Sequence, residues 1–179
     1  AVLNTNAGSG KTLFLRAGEY RLKQSLTIPS DIHICGEGRS TVLICEPTIR
    51  TAAILLGDLD AKNITIENLV VDGSKEHQEA YDPNSGRFYR TGRYSNALAG
   101  ISMRGEAGHA FSNIKLKNLT VINFSRSGVY ISDAEGIEID HCDFTENGAH
   151  VVPGPRLQHN LMIQHLSLIH ISEPTRRVV

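Results

Sequence analysis

A short alternation of apolar and polar residues recurs along the chain at nearly fixed spacing, and this repeat limits the possible folds more than any other feature. The segments NITIENLVVDG from Asn63, NIKLKNLTVIN from Asn113 and GIEIDHCDFTEN from Gly136 align, and NLMIQH from Asn160 opens a fourth. The starts lie 23 residues apart from Asn113 to Gly136 and 24 from there to Asn160. The step of 50 from Asn63 to Asn113 is one long coil with an insertion. Period-two alternation means strand. Its inward residues are Ile64, Ile66, Leu69 and Val71, then Ile114, Leu116, Leu119 and Val121, then Ile137, Ile139, Cys142 and Phe144. The series predicts one buried column of Ile64, Ile114, Ile137 and Leu161, and another of Val71, Val121 and Phe144.

The alternation slips by one at Asn68, Asn118 and His141, so each unit is two short strands meeting at a corner. A further short strand accompanies each: LAGISMRG, SGVYISD and AHVVPG. Three short strands per turn at solenoid spacing predict an all-β parallel β-helix. No helix of ordinary length separates the strands, which argues against a βαβ sheet. Stacking brings like positions together about 4.8 Å apart. It predicts a corner column of Asn68, Asn118, His141 and His165 with hydrogen-bonded amides. It also predicts an outward charge column of Glu67, Lys117 and Asp140, a solvated ladder that fixes register.

The segment from Leu13 to Ile44 has the same character, with Leu13, Leu15, Leu26, Ile28, Ile32, Ile34, Val42 and Ile44 as inward candidates. A formal net charge of −1 argues against a nucleic-acid-binding domain. No run of 18 apolar residues is present, so no membrane-spanning helix is expected. Cys35, Cys45 and Cys142 show no CxxC or Cys/His metal spacing, and no metal site is assigned. GSGKT at Gly8–Thr12 lacks the first glycine of a P-loop and runs into a strand-like stretch, so nucleotide binding is not expected.

Residues from LRAGEYRLKQSLTIPSDIHICGEGRSTVLI resemble the opening coils of pectate-lyase-superfamily proteins. NLTVINFSRSGVYISDAEGIEIDHCDFTENGAHVVPGP resembles the right-handed β-helix repeats of carbohydrate-active proteins. The resemblance spans roughly residues 12–165 and implies a right-handed parallel β-helix of the pectin-lyase-like kind. It further implies a secreted protein, extracellular or periplasmic, whose partner is a polysaccharide. The NTD, DD, GHG and RIK motifs of polygalacturonases are absent, as is the WIDH-type motif of pectate lyases. Neither polygalacturonate hydrolysis nor calcium-dependent cleavage therefore carries over; no cofactor is identified, and calcium stays open without a sequence signal for it.

The candidate site follows from the strands. Ile101 and Met103 are expected inward beside Val129 and Ile131, which turns Ser102 and Arg104 outward next to Tyr130 and Ser132. Arg126 and Asp133 flank the Tyr130 strand, and the stiff NGAHVVPGP loop carries His150. The insertion from Ser74 to Ala97 holds Tyr89, Arg93 and Tyr94, and aromatic and guanidinium groups of this kind suit sugar rings and their carboxylates. In a polysaccharide lyase Tyr130 or His150 handles the proton and Arg104 neutralises the uronate carboxylate, while Arg126, Asp133, Tyr89, Arg93 and Tyr94 bind substrate. A glycoside hydrolase needs paired carboxylates instead, and the Arg- and Tyr-rich face favours lyase. An epimerase would use much the same groups, and a non-catalytic binding, adhesin or stalk module remains the alternative. VVDGSKEH gathers Asp72, Lys75 and His77, for which a polar turn is the favoured account. The chain opens at Ala1 with no signal peptide, so residues upstream are expected. LSLIHISEPTR, residues 166–176, resembles a translated sequencing adapter. The domain is accordingly expected to span 1–165, truncated, with 166–179 a non-native tail and no regular coil beyond His165.

Overall fold

The structure, a computed structural model, describes residues 10–49, 51–77, 81–82, 87–89, 99–105, 109–148, 151–152, 160–166 and 169–172. Strands follow one another with no α-helix among these residues. The first coils hold β1 (Lys11–Phe14), β2 (Gly18–Leu22), β3 (Leu26–Ile28), β4 (Ile32–Cys35) and β5 (Thr41–Cys45). Next come β6 (Ala52–Leu56) and the long β7 (Lys62–Asp72), then β8 (Tyr81–Asp82) and β9 (Arg87–Tyr89). The later coils hold β10 (Ala99–Arg104), β11 (Phe111–Ile122), β12 (Val129–Asp140), β13 (Asp143–Thr145), β14 (Val151–Val152), β15 (Leu161–Leu166) and β16 (Ile169–Ser172).

Every pairing within the main sheet is parallel, and the register sorts the strands onto three faces. The first face stacks β3, β6, β10, the start of β12, and β15. On the second lie β1, β4, the first halves of β7 and β11, the end of β12, and β16. The third takes β2, β5, the second halves of β7 and β11, and β13. Each coil visits the faces in the same order, so the protein is an all-β parallel β-helix, as the repeat predicted.

The faces meet at corners made by residues in the left-handed region, which asparagine, aspartate and glycine enter at least cost. Asp31, Asn63, Asn113 and Gly136 occupy one corner, with φ of 57°, 54°, 55° and 62°. Asn68, Asn118 and His141 occupy the next, at 57°, 49° and 50°. Because ladder bonds persist across these corners, β7 and β11 run on as single long strands rather than two short ones. Inside, Ile32, Ile64, Ile114 and Ile137 lie in register on the second face, and the backbone of Ile169 pairs next in the series with Ile137. Ile64 and Ile114 are fully buried, and burial of such a side chain is worth about 1.5–3 kcal/mol. Leu43, Val71, Val121 and Phe144 form the column of the third face.

Three expectations are corrected. Leu161 does not continue the Ile64 column: it pairs with Val129 on the first face, and Ile169 takes the expected place. A strand that begins Asn-apolar-polar-apolar fits either face, so periodicity could not tell them apart. His165 leaves the Asn68 column with it, because β15 sets Gln164 and Leu166 against Ser132 and Ala134, and so His165 against Asp133. The bonded amide ladder lies at the other corner, where Asn113 Nδ2 donates to Asn63 Oδ1 at 2.8 Å and Asn63 Nδ2 to Asp31 Oδ1 at 2.7 Å. In β5 the phase is inverted: Thr41, Leu43 and Cys45 are buried while Val42 and Ile44 face outward. Beyond residue 165, β16 pairs with β12, and Ile171 is 47% exposed.

Candidate functional site

The outward side of the first face carries a groove of about 300 Å³. Its floor is a stacked row of Leu55, Ser102 and Tyr130, whose side chains point out because Ile54, Ile101 and Val129 point in. Arg104 rises at one end and Arg126 and Ser127 close the other, with Thr51 and Ala99 beside them. The guanidinium carbon of Arg104 sits 4.6 Å from the centre of the Tyr130 ring, a cation–π contact that fixes both side chains. The Tyr130 hydroxyl donates to Gln164 Oε1 at 3.1 Å. Ser127 is 1% exposed, and its hydroxyl oxygen has no hydrogen-bond partner. A buried hydroxyl left so costs about 1–3 kcal/mol.

The groove therefore presents guanidinium groups and a phenol above a floor of Leu55 and Ser102. No carboxylate lines it among the described residues. Such a surface suits an anionic, hydroxyl-rich ligand.

No family model and no curated protein matches the sequence. A solved structure does. The chain is similar to the crystal structure of a "putative glycosyl hydrolase" from Parabacteroides merdae, at 18% identity and a TM-score of 0.54, covering 93% of this chain and 84% of that one. At this identity the likeness bears on the fold alone.

The structure brings Arg104, Tyr130 and Arg126 together in the groove. Asp133 lies outside its lining, at a corner with φ of 55° where the chain leaves the first face. Tyr89 belongs to β9, where its backbone pairs with Val152 of β14 and Phe88 pairs with Val151. The insertion and the NGAHVVPGP loop thus join in a small separate sheet, completed by the antiparallel pairing of β8 with β9. His150, Arg93 and Tyr94 lie outside the described residues, as does the side chain of Tyr89.

Two other places were open in the sequence. Asp72, Ser74, Lys75, His77 and Asn123 line a hollow of about 230 Å³. There Asp72 Oδ1 accepts from the Ser74 N–H at 2.8 Å and from Asn123 Nδ2 at 3.1 Å, the turn chemistry expected of Asp-Gly-Ser. Lys11 and Thr12 of GSGKT already belong to β1, so a strand rather than a helix follows the motif.

Sequence spacing missed one cluster. His33, Cys35 and Glu67 gather on the outward side of the second face, their donor atoms all within 4.8 Å of one another. His33 Nε2 lies 2.8 Å from Glu67 Oε1. Linear spacing does not show this set, because Glu67 arrives one coil after His33 and Cys35. Ser127 was also missed, since nothing in NFSRSG marks which serine is buried beside the groove.

Proposed function

We propose that this protein acts on an acidic polysaccharide at the first-face groove, by a lyase reaction. The observation that carries the reading is the convergence of Arg104, Arg126 and Tyr130 on a groove whose described lining holds no carboxylate. β-Elimination from a uronate requires removal of the proton beside the carboxylate. An arginine next to that carboxylate stabilises the negative charge that develops. In this reading Arg104 pairs with the carboxylate, and Tyr130, whose oxygen Gln164 orients, takes the proton as its phenolate and returns it to the leaving sugar oxygen while the C–O bond breaks and the C=C bond forms. Arg126 holds the neighbouring sugar. Hydrolysis would demand two carboxyl groups facing each other across the bond, and this lining offers neither. The parallel β-helix likeness to a protein named as a glycosyl hydrolase supports the broader carbohydrate-active part of the reading.

The test is incubation with a panel of uronate-containing and neutral polysaccharides. A lyase yields unsaturated ends that absorb in the ultraviolet. New reducing ends without that absorbance would replace lyase by hydrolase, and binding without product would leave a recognition module. Arg104→Ala should cut turnover by roughly 100-fold or more, as loss of a charge-stabilising donor does. Tyr130→Phe should cut it similarly, with smaller change in KM. Wild-type turnover and wild-type binding in both variants would remove this face from consideration.

A further inference from the structure

We propose that His33, Cys35 and Glu67 form a zinc site that staples two successive coils. His33 and Cys35 are alternate residues of β4 and point the same way, outward, because Ile32 and Ile34 point into the core. Glu67 is the register partner of Cys35 on β7. The three donors are imidazole nitrogen, sulfur and carboxylate oxygen, and their mutual distances fall within 4.8 Å. A tetrahedral ion with bonds of about 2.0–2.3 Å accepts such a triangle with small side-chain adjustments.

The donor set selects the ion. Calcium takes six to eight oxygens and magnesium an octahedron of oxygens, neither of which this cluster supplies. Thiolate with imidazole suits zinc. On binding, the Cys35 S–H releases its proton to solvent and the sulfur bonds the metal. One thiolate and one carboxylate then balance the two positive charges, and neutral His33 adds none. Three protein donors leave a fourth position for water.

The surroundings fit the same role. His33 Nδ1 lies 3.3 Å from Thr12 Oγ1, which can accept a hydrogen bond from Nδ1–H, so that Nε2 exchanges its 2.8 Å contact with Glu67 Oε1 for the metal. Asn68 Nδ2 donates to Cys35 Sγ at 3.6 Å, a contact that stabilises sulfur carrying negative charge. Lys117 stacks on Glu67 in register, but its ammonium is drawn to Glu138 Oε1 at 2.7 Å. Cys45 and Cys142 are buried and turned into the core, so Cys35 is the partly exposed thiol among the three. All three ligands sit on strands of one sheet, which holds them more firmly than loops would.

The test uses the full chain, freed of metal by chelator and dialysed. Titration with Co²⁺ should give a sulfur-to-cobalt charge-transfer band and the intense visible bands of a tetrahedral ion, both abolished when Zn²⁺ displaces it. Zn²⁺ should also raise the melting temperature. Cys35→Ser should lose the charge-transfer band. Glu67→Gln, conservative at a partly exposed position, should weaken Zn²⁺ by more than the roughly 10–100-fold typical of lost outer-sphere partners. It should leave the metal-free melting temperature unchanged, which separates a ligand from a merely structural residue. Absence of the band at excess Co²⁺, its persistence in Cys35→Ser, or unchanged Zn²⁺ affinity in Glu67→Gln would each overturn the site. None of these readouts depends on the polysaccharide reaction.

Discussion

Asn63 and Asn113 show how single residues set this architecture. Each turns the chain through a left-handed backbone conformation and spends its side chain on the asparagine or aspartate stacked next to it. The buried thiols act differently. Burial pushes Cys45 up to about 12, with Asp72 adding to the effect, and Cys142 up to about 11, from 9.0. In the unfolded chain these thiols ionise near 9.0, while in the folded chain they keep their protons. Above that pH the folded state binds more protons, so stability falls as pH rises, by up to about 1.4 kcal/mol per pH unit for each thiol. Urea unfolding at about pH 8 and about pH 10 should show this decline, and Cys45→Ala should make it shallower. An equal decline in the variant would contradict the assignment. The carboxylate of Glu138 moves the other way, held below its usual value by the hydrogen bond from Lys117. Its contribution is present at neutral pH and fades in acid.

At the scale of an element, β5 is the most exacting case. Its apolar run VLIC carries no alternation, so only stacking of Leu43 on Val71 fixes which side faces the core. Leu43→Ala should cost about 2–5 kcal/mol, the range for a buried large-to-small change. Ile44→Ala, on the outer side, should cost clearly less. Chemical denaturation measures both, and equal losses would show the phase to be wrong. The start of β10 makes a second demand. A Cβ at Gly100 would run into the Gly128 carbonyl oxygen and Val121 Cγ1, so this coil can approach its neighbour only with glycine there. Gly100→Ala should therefore lower stability by about 1–3 kcal/mol and disturb the adjoining groove.

Across the whole molecule, each coil touches mainly the coils on either side. Stability in such an array is a sum of coil and interface contributions, and the middle is held from both sides. Amide hydrogen exchange should be slowest around Ile64–Ile66, Ile114–Leu116 and Ile137–Ile139, whose strands have neighbours on both edges. It should be faster in β1 and β16, which among the described residues pair only with β4 and β12 respectively. Uniform protection along the chain would mean that the solenoid opens as one unit. No helix among the described residues is long and apolar enough to cross a membrane.

The amino-acid pattern alone determined the strands, their parallel stacking and the inward residues wherever alternation is strict. Ile101 and Met103 beside Val129 and Ile131, with Arg104 and Tyr130 turned outward, were legible because a period of two leaves one choice of face. Tertiary structure decided what periodicity leaves degenerate. Leu161 and Val42 fit either of two placements by pattern, and the packing of neighbouring coils selected one. It also decided which residues meet across coils. Ser127 beside the groove, β9 against β14, and Glu67 against His33 and Cys35 all depend on how much chain each coil consumes. That length varies with every insertion and is fixed only when the strands pair, because the ladder rewards register and not sequence distance.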